Sequence, residues 1–261
     1  MRPLRTLLWL EWRRSGVWAV VLLSSLLFWA WGLHQVRFVD VGRQVAVRAG
    51  LLTVAAVVGA LVLCLMVGRI RSETRHGQYQ VLLLTPPSGY AHVLARFGFA
   101  AATAVVYYVI IGGLFWWTFA RAGVGFDAEA AVELLLACPL YGVGLTVLPA
   151  LAWTLLLMVF ISAYRVSGPG WIPGTVMILG TPFALRWIVD GLVDVSYRLP
   201  PWRLLDSVGV AVETMPQDAD AQIELLRASL LGVPQEPFWA MLALAAVMLL
   251  VAGRLWQEVE G

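Results

Sequence analysis

Six predominantly apolar stretches of this chain contain no Asp, Glu or Arg, at residues 15–36, 49–68, 97–120, 134–164, 166–185 and 237–253. Their lengths are 22, 20, 24, 31, 20 and 17 residues. A helix that crosses the hydrocarbon of a bilayer needs about 20 apolar residues, within a range of about 17–25. Five of the runs fit directly. The fourth is longer, and Pro139 and Pro149 inside it can kink the helix while its first turns rest at the interface. Water-soluble domains carry about 25% charged residues, against 13% here, with 61% hydrophobic. Lipid therefore has to solvate part of the surface. The sequence predicts an all-α membrane protein, residues 1–261 forming a single transmembrane domain with six transmembrane helices.

Tryptophans mark the same limits. Trp18 and Trp31 bracket the first run, Trp171 and Trp187 the fifth, and Trp239 and Trp256 the sixth. Each pair lies about 20–26 Å apart along a helix, which suits two interfacial belts. Trp153 falls in mid-span and reads as a packing residue. Residues 4–14 predict a short interfacial helix leading into span one, because the apolar run behind it is too long for a signal peptide. With the N-terminus cytoplasmic, ten of the 18 Arg and four of the 16 acids fall inside. The positive-inside rule favours that orientation, and six spans return the C-terminus to the cytoplasm. The expected location is a bacterial cytoplasmic (inner) membrane.

All 18 basic residues are Arg, and the chain has no Lys. A phosphate-cradling P-loop needs a Lys to reach the β- and γ-phosphates, so the chain is not expected to be an ATPase. A net charge of +2 without a basic stripe does not point to nucleic acid. Cys64 and Cys138 sit in apolar runs and read as two buried thiols. His34, His76 and His92 lie outside the depths of the spans, which does not suit haem bound between helices. The runs hold no Asp, Glu or Arg, and no His at mid-depth, for proton or ion relay. Glu129, Glu133, Asp190 and Asp194 read as solvated acids at span ends. Neither a catalytic set nor a metal-ligand cluster emerges, and no cofactor is expected.

Two connections remain, the cytoplasmic loop at 69–96 and the external segment at 186–236. The external segment holds the Pro200-Pro201 break and then two short helical patterns. In the second, Ile223, Leu226 and Leu230 share a face, and Glu224 stands three residues before Arg227. Both pieces are too short to cross the bilayer and are expected to lie on it or re-enter it. In the cytoplasmic loop Ser72 can cap a helix with Glu73 in its first turn, Val81 to Leu84 continue an apolar patch, and Pro86-Pro87 end it. As a bare pattern this is also an ordinary connecting loop that snorkels its Arg side chains.

The order Glu73-x-x-x-Gly77 followed by Leu82-Leu83-Leu84-Thr85-Pro86, at the end of the second of six spans, resembles the coupling-helix segment of ABC type 2 exporter permeases. The likeness extends to the N-terminal interfacial helix, the six-span topology and the re-entrant segment before the last span. Gln80 stands where that family often has a second Glu. The resemblance implies a membrane subunit that dimerises with a second permease copy or a paralogue on separate ABC ATPase subunits. It implies that Arg71, Glu73, Arg75, Gly77 and Tyr79 contact the ATPase, and that substrate passes between permeases near spans one, two and five. Pro173, Gly174, Gly180 and Pro182 break span five, which marks either a substrate path or simple kinking. An uncharged wall suits a lipid-like, peptide or amphipathic cargo. The loop is also similar to that of the membrane subunit of the cytochrome c maturation haem exporter. A structural or assembly subunit of a membrane complex is a reading from a different class, and a lipid-modifying enzyme is the least supported by the residues.

Overall fold

The computed structural model describes residues 2–36, 41–68, 89–121, 138–163 and 236–260, together with 132, 135, 136, 186, 187, 190 and 191. The long elements are all helical. They are α1 (Arg2–Gln35), α2 (Val41–Gly68), α3 (Gly89–Arg121), α4 (Cys138–Gly142), a π-helical turn (Val143–Val147), α5 (Leu148–Ala163) and α6 (Glu236–Glu260). Five stretches among them are long and apolar enough to cross a membrane: Thr6–Gln35, Arg43–Gly68, Gly89–Arg121, Pro139–Ser162 and Phe238–Gln257. The fifth apolar run, 166–185, lies outside the described residues, as do the loop at 69–88 and nearly all of 186–236.

The helices overrun the uncharged stretches. α1 is one continuous helix of 34 residues, about 51 Å long, so residues 4–14 extend span one without a break. Pro3 sits in its first turn, where a missing N–H leaves nothing unsatisfied. α2 starts eight residues before Ala49 and α3 eight before Phe97. Each exceeds the roughly 30 Å of hydrocarbon, so its ends project beyond it or the helix tilts.

The candidate span within the fourth run is Pro139–Ser162, 24 residues, and a π-helical turn interrupts it just before Pro149. A Pro inside an α-helix removes one backbone hydrogen bond and presses its ring on the carbonyl four residues earlier. Pro149 would press on Leu145, inside the widened turn. There the Leu148 N–H reaches back to the Val143 carbonyl, five residues away. The Thr146 hydroxyl donates to the Gly142 carbonyl, four residues back, at 2.6 Å.

α3 is the central helix, packed against α1, α2, α6 and the α4–π–α5 unit. Around it Leu22, Leu26 and Leu33 of α1, Leu52 and Leu63 of α2, Leu151 and Leu155 of α5, and Ala252 of α6 form one core with the fully buried Tyr107. Tyr107 fits because α2 presents Gly59 to it; a Cβ there would overlap the ring. The Tyr107 hydroxyl donates to the Ala55 carbonyl at 2.9 Å and Tyr108 to the Ala56 carbonyl at 2.7 Å. With no water at this depth, a hydroxyl must find such an acceptor. Thr53, Thr103, Thr118, Thr154 and Ser162 do so on the carbonyl four residues back in their own helices.

Contacts at the helix ends fix the directions. The starts of α1 and α3 meet, with Glu11 on Arg96 and Trp12 edge-on to Phe99 at 6.0 Å. The start of α2 meets the ends of α1 and α3, where Arg48 donates to the Val36 carbonyl at 3.0 Å and stands over Trp117 at 5.5 Å. The start of α6 meets α4, Phe238 stacking on Tyr141 at 5.4 Å, while its end packs on the start of α3. One end of the bundle, here termed proximal, thus holds Arg2, Gly68, Gly89, Ala163 and Glu260. The distal end holds Gln35, Val41, Arg121, Cys138 and Glu236.

The belt of aromatic side chains is partly as expected. Trp18, Trp31, Trp187 and Trp239 are exposed, whereas Trp256 is buried at the proximal end. Trp256 is a packing residue because α6 closes there over the glycine that starts α3.

Candidate functional site

The residues expected to meet an ATPase, Arg71, Glu73, Arg75, Gly77 and Tyr79, lie outside the described residues. So do Pro173, Gly174, Gly180 and Pro182. The points where the loop joins the bundle, Gly68 of α2 and Gly89 of α3, are described, and both are at the proximal end.

The junction at Gly89 is tightly packed. A Cβ on Gly89 would lie 2.9 Å from Cδ1 of Trp256 and 3.0 Å from the backbone nitrogen of Gln257. One residue on, the Tyr90 ring fills the space above Gly253, where a Cβ would overlap it. His92 lies 6.4 Å from Trp256, ring to ring. Gly89, Val93, Ala95 and Arg96 are all buried. The first two turns of α3 are therefore wedged between α6 and α1.

On the α1 side the contact is ionic. Arg96 Nε donates to Glu11 Oε2 at 3.4 Å, with the two side chains 9% and 11% exposed. Taking two charges out of water is costly, and mutual attraction offsets that only when both partners stay in place. Ser15, one turn after Glu11, is buried too. The segment leading out of the loop is thus fixed to α1 by charge and to α6 by shape.

At the distal end Arg48 is buried, its guanidinium joining the Val36 carbonyl, just past the end of α1, to Trp117. Arg121 stands over the same indole at 4.8 Å. The sequence reading of Asp190 as a solvated acid fits its position, 3.8 Å from Arg186 with both side chains exposed. Cys64 is half-buried and carries a free thiol. Among the described residues no three His, Cys, Asp or Glu side chains gather into a group able to hold a metal ion.

The Glu11–Arg96 pair was not legible from motif spacing, since 85 positions separate the partners. A signal existed nonetheless. Glu11 stands four residues before the first apolar run and Arg96 one residue before the third, which puts opposite charges at similar depth on parallel helices.

Comparison of the chain with models of protein families, with curated proteins and with solved structures finds no match.

Proposed function

We propose that this chain is the membrane subunit of an ATP-driven exporter, with six spans, both termini cytoplasmic, and two permease copies or paralogues seated on separate ATPase subunits. The observation that carries the reading is the proximal junction. The loop with the Glu73-x-x-x-Gly77 and Leu82–Pro86 pattern leaves α2 at Gly68 and enters α3 at Gly89, where α3 is held to both α1 and α6. A push on such a loop would move the central helix together with its neighbours. The proposed cargo is lipid-like, peptide or otherwise amphipathic.

Helix direction supports the sixth span. α5 ends at the proximal end and α6 begins at the distal end. The chain between them has to pass from one side of the membrane to the other, which takes an odd number of crossings. The uncharged run at 166–185 is long enough for one.

Affinity purification of the tagged chain from its native membrane tests the proposal. A P-loop ATPase should co-purify, and Glu73→Ala or Gly77→Trp should weaken that association without lowering the amount of inserted permease. Association unchanged in both variants, or a stable complex lacking any ATPase, would overturn it.

A further inference from the structure

The proximal part of α1 distributes its charge unevenly. Glu11 is the single acid before Asp40, and it is turned inward onto Arg96. Arg13 faces outward, its guanidinium 4.9 Å from the centre of the Trp9 ring. Trp9 and Trp12 are 54% and 55% exposed. The first turn of the helix holds no acid either, so the positive end of the helix dipole is left uncompensated. With its one carboxylate neutralised internally, this face is aromatic and purely cationic.

We infer that Trp9, Trp12 and Arg13 form a docking surface for the headgroups of anionic phospholipids in the leaflet at the proximal end. Depth supports it: Trp12 and the 61% exposed Trp31 are 19 residues apart on one continuous helix, or about 28 Å. That is close to the thickness of the hydrocarbon. With Trp31 at one interface, Trp12 lies at the other, about 9 Å beyond Trp18, so Trp12 rather than Trp18 marks this limit, and the Arg13 guanidinium, drawn back onto Trp9, stands on its headgroup side. A guanidinium laid against an indole is held by its face and keeps its N–H edge for a bidentate acceptor, which a phosphate diester provides. Arg2 and Arg5 add charge to the same segment of sequence. Anionic lipid surfaces favour each nearby Arg by about fivefold in affinity. A second Arg–Trp pair, Arg121 on Trp117, sits at the distal end, but Asp127, Glu129 and Glu133 follow it in sequence. It serves as the internal control. The inference does not depend on the transport reading.

Native mass spectrometry of the full chain, released from micelles containing equal phosphatidylglycerol and phosphatidylcholine, reads the selectivity directly. Wild type should retain phosphatidylglycerol about fivefold or more over phosphatidylcholine. Arg13→Gln should bring that ratio down about fivefold, Trp9→Ala should also lower it, and Arg121→Gln should leave it unchanged. Arg13 is exposed, so its variant should elute from size exclusion as wild type does. Equal retention of the two lipids by wild type overturns the proposal, as does a ratio that survives in Arg13→Gln. Displacement of the lipid by millimolar inorganic phosphate would also overturn it, by making this a site for free anions. So would a concentration-dependent dimer lost in Trp9→Ala, which would make this face a contact between copies.

Discussion

Replacing Arg96 with Met leaves Glu11 as a carboxylate in a site about nine-tenths shielded from solvent. Across 3.4 Å, two unit charges attract by about 5 kcal/mol at an effective dielectric constant of 20. Part of that offsets the desolvation of both groups, which is why an intact buried pair adds little net stability. Breaking it exposes the full cost, typically about 3–5 kcal/mol. By the scaling of water-soluble domains of 150–250 residues, 3 kcal/mol corresponds to a fall in Tm of about 6–12 °C. Glu11→Met should fall comparably, because Arg96 is then left without its carboxylate. The double variant, with both charges gone, should recover to within about 1 kcal/mol of wild type. Thermal unfolding of the detergent-solubilised protein, followed by fluorescence-detected size exclusion, gives all four corners of the cycle. Losses below about 1 °C in both single variants, or a double variant that loses the sum of the two, would refute the reasoning that the pair is buried and mutually dependent.

Further outcomes follow from the packing and from the orientation. Gly59→Ala should destabilise the bundle by about 1–3 kcal/mol, the usual range for overpacking, because the new methyl group overlaps the fully buried Tyr107. Gly98→Ala, with nothing within 4 Å of the new Cβ, should be neutral or stabilise by up to about 1 kcal/mol through helix propensity; equal effects in thermal unfolding would contradict the close approach at Gly59. Tyr108→Phe should cost about 1 kcal/mol, since it removes the donor to the Ala56 carbonyl while that carbonyl keeps its place in the helix ladder. In a chain with Cys64→Ala and Cys138→Ala, an impermeant maleimide applied to intact cells should label Asp218→Cys and spare Arg71→Cys; the reverse pattern would invert the orientation.

The sequence was most informative where a single physical constraint dominates. Lipid excludes charge, so uncharged runs located the five described spans, and Pro149 announced a disturbance in the fourth. The same rule misplaced helix limits, because it stops at the first Arg or Glu. Arg48, Glu11 and Arg96 all lie inside helices, made tolerable by a helix-end carbonyl, an indole or each other. These partners come from distant segments, and a one-dimensional pattern does not reveal them. Trp256 illustrates a related limit. Its position at the end of an apolar run is that of an interfacial tryptophan, but α6 crosses the start of α3 at a glycine and covers the ring. The face of a helix that meets protein rather than lipid depends on such crossings. Four of the five proposed coupling residues are charged or glycine, types whose role on a surface is set by the partner and not by the chain itself.

The central claim is that residues 69–88 meet an ATPase, and a photo-crosslink tests it most directly. Tyr79 is replaced in living cells by p-benzoylphenylalanine, and the covalent product is identified by mass spectrometry. One dominant adduct with a P-loop ATPase is expected, formed at Tyr79 and absent when the same probe replaces Phe28 on the exposed face of α1. Adducts at Tyr79 confined to lipid, or to proteins without an ATPase domain, would contradict it.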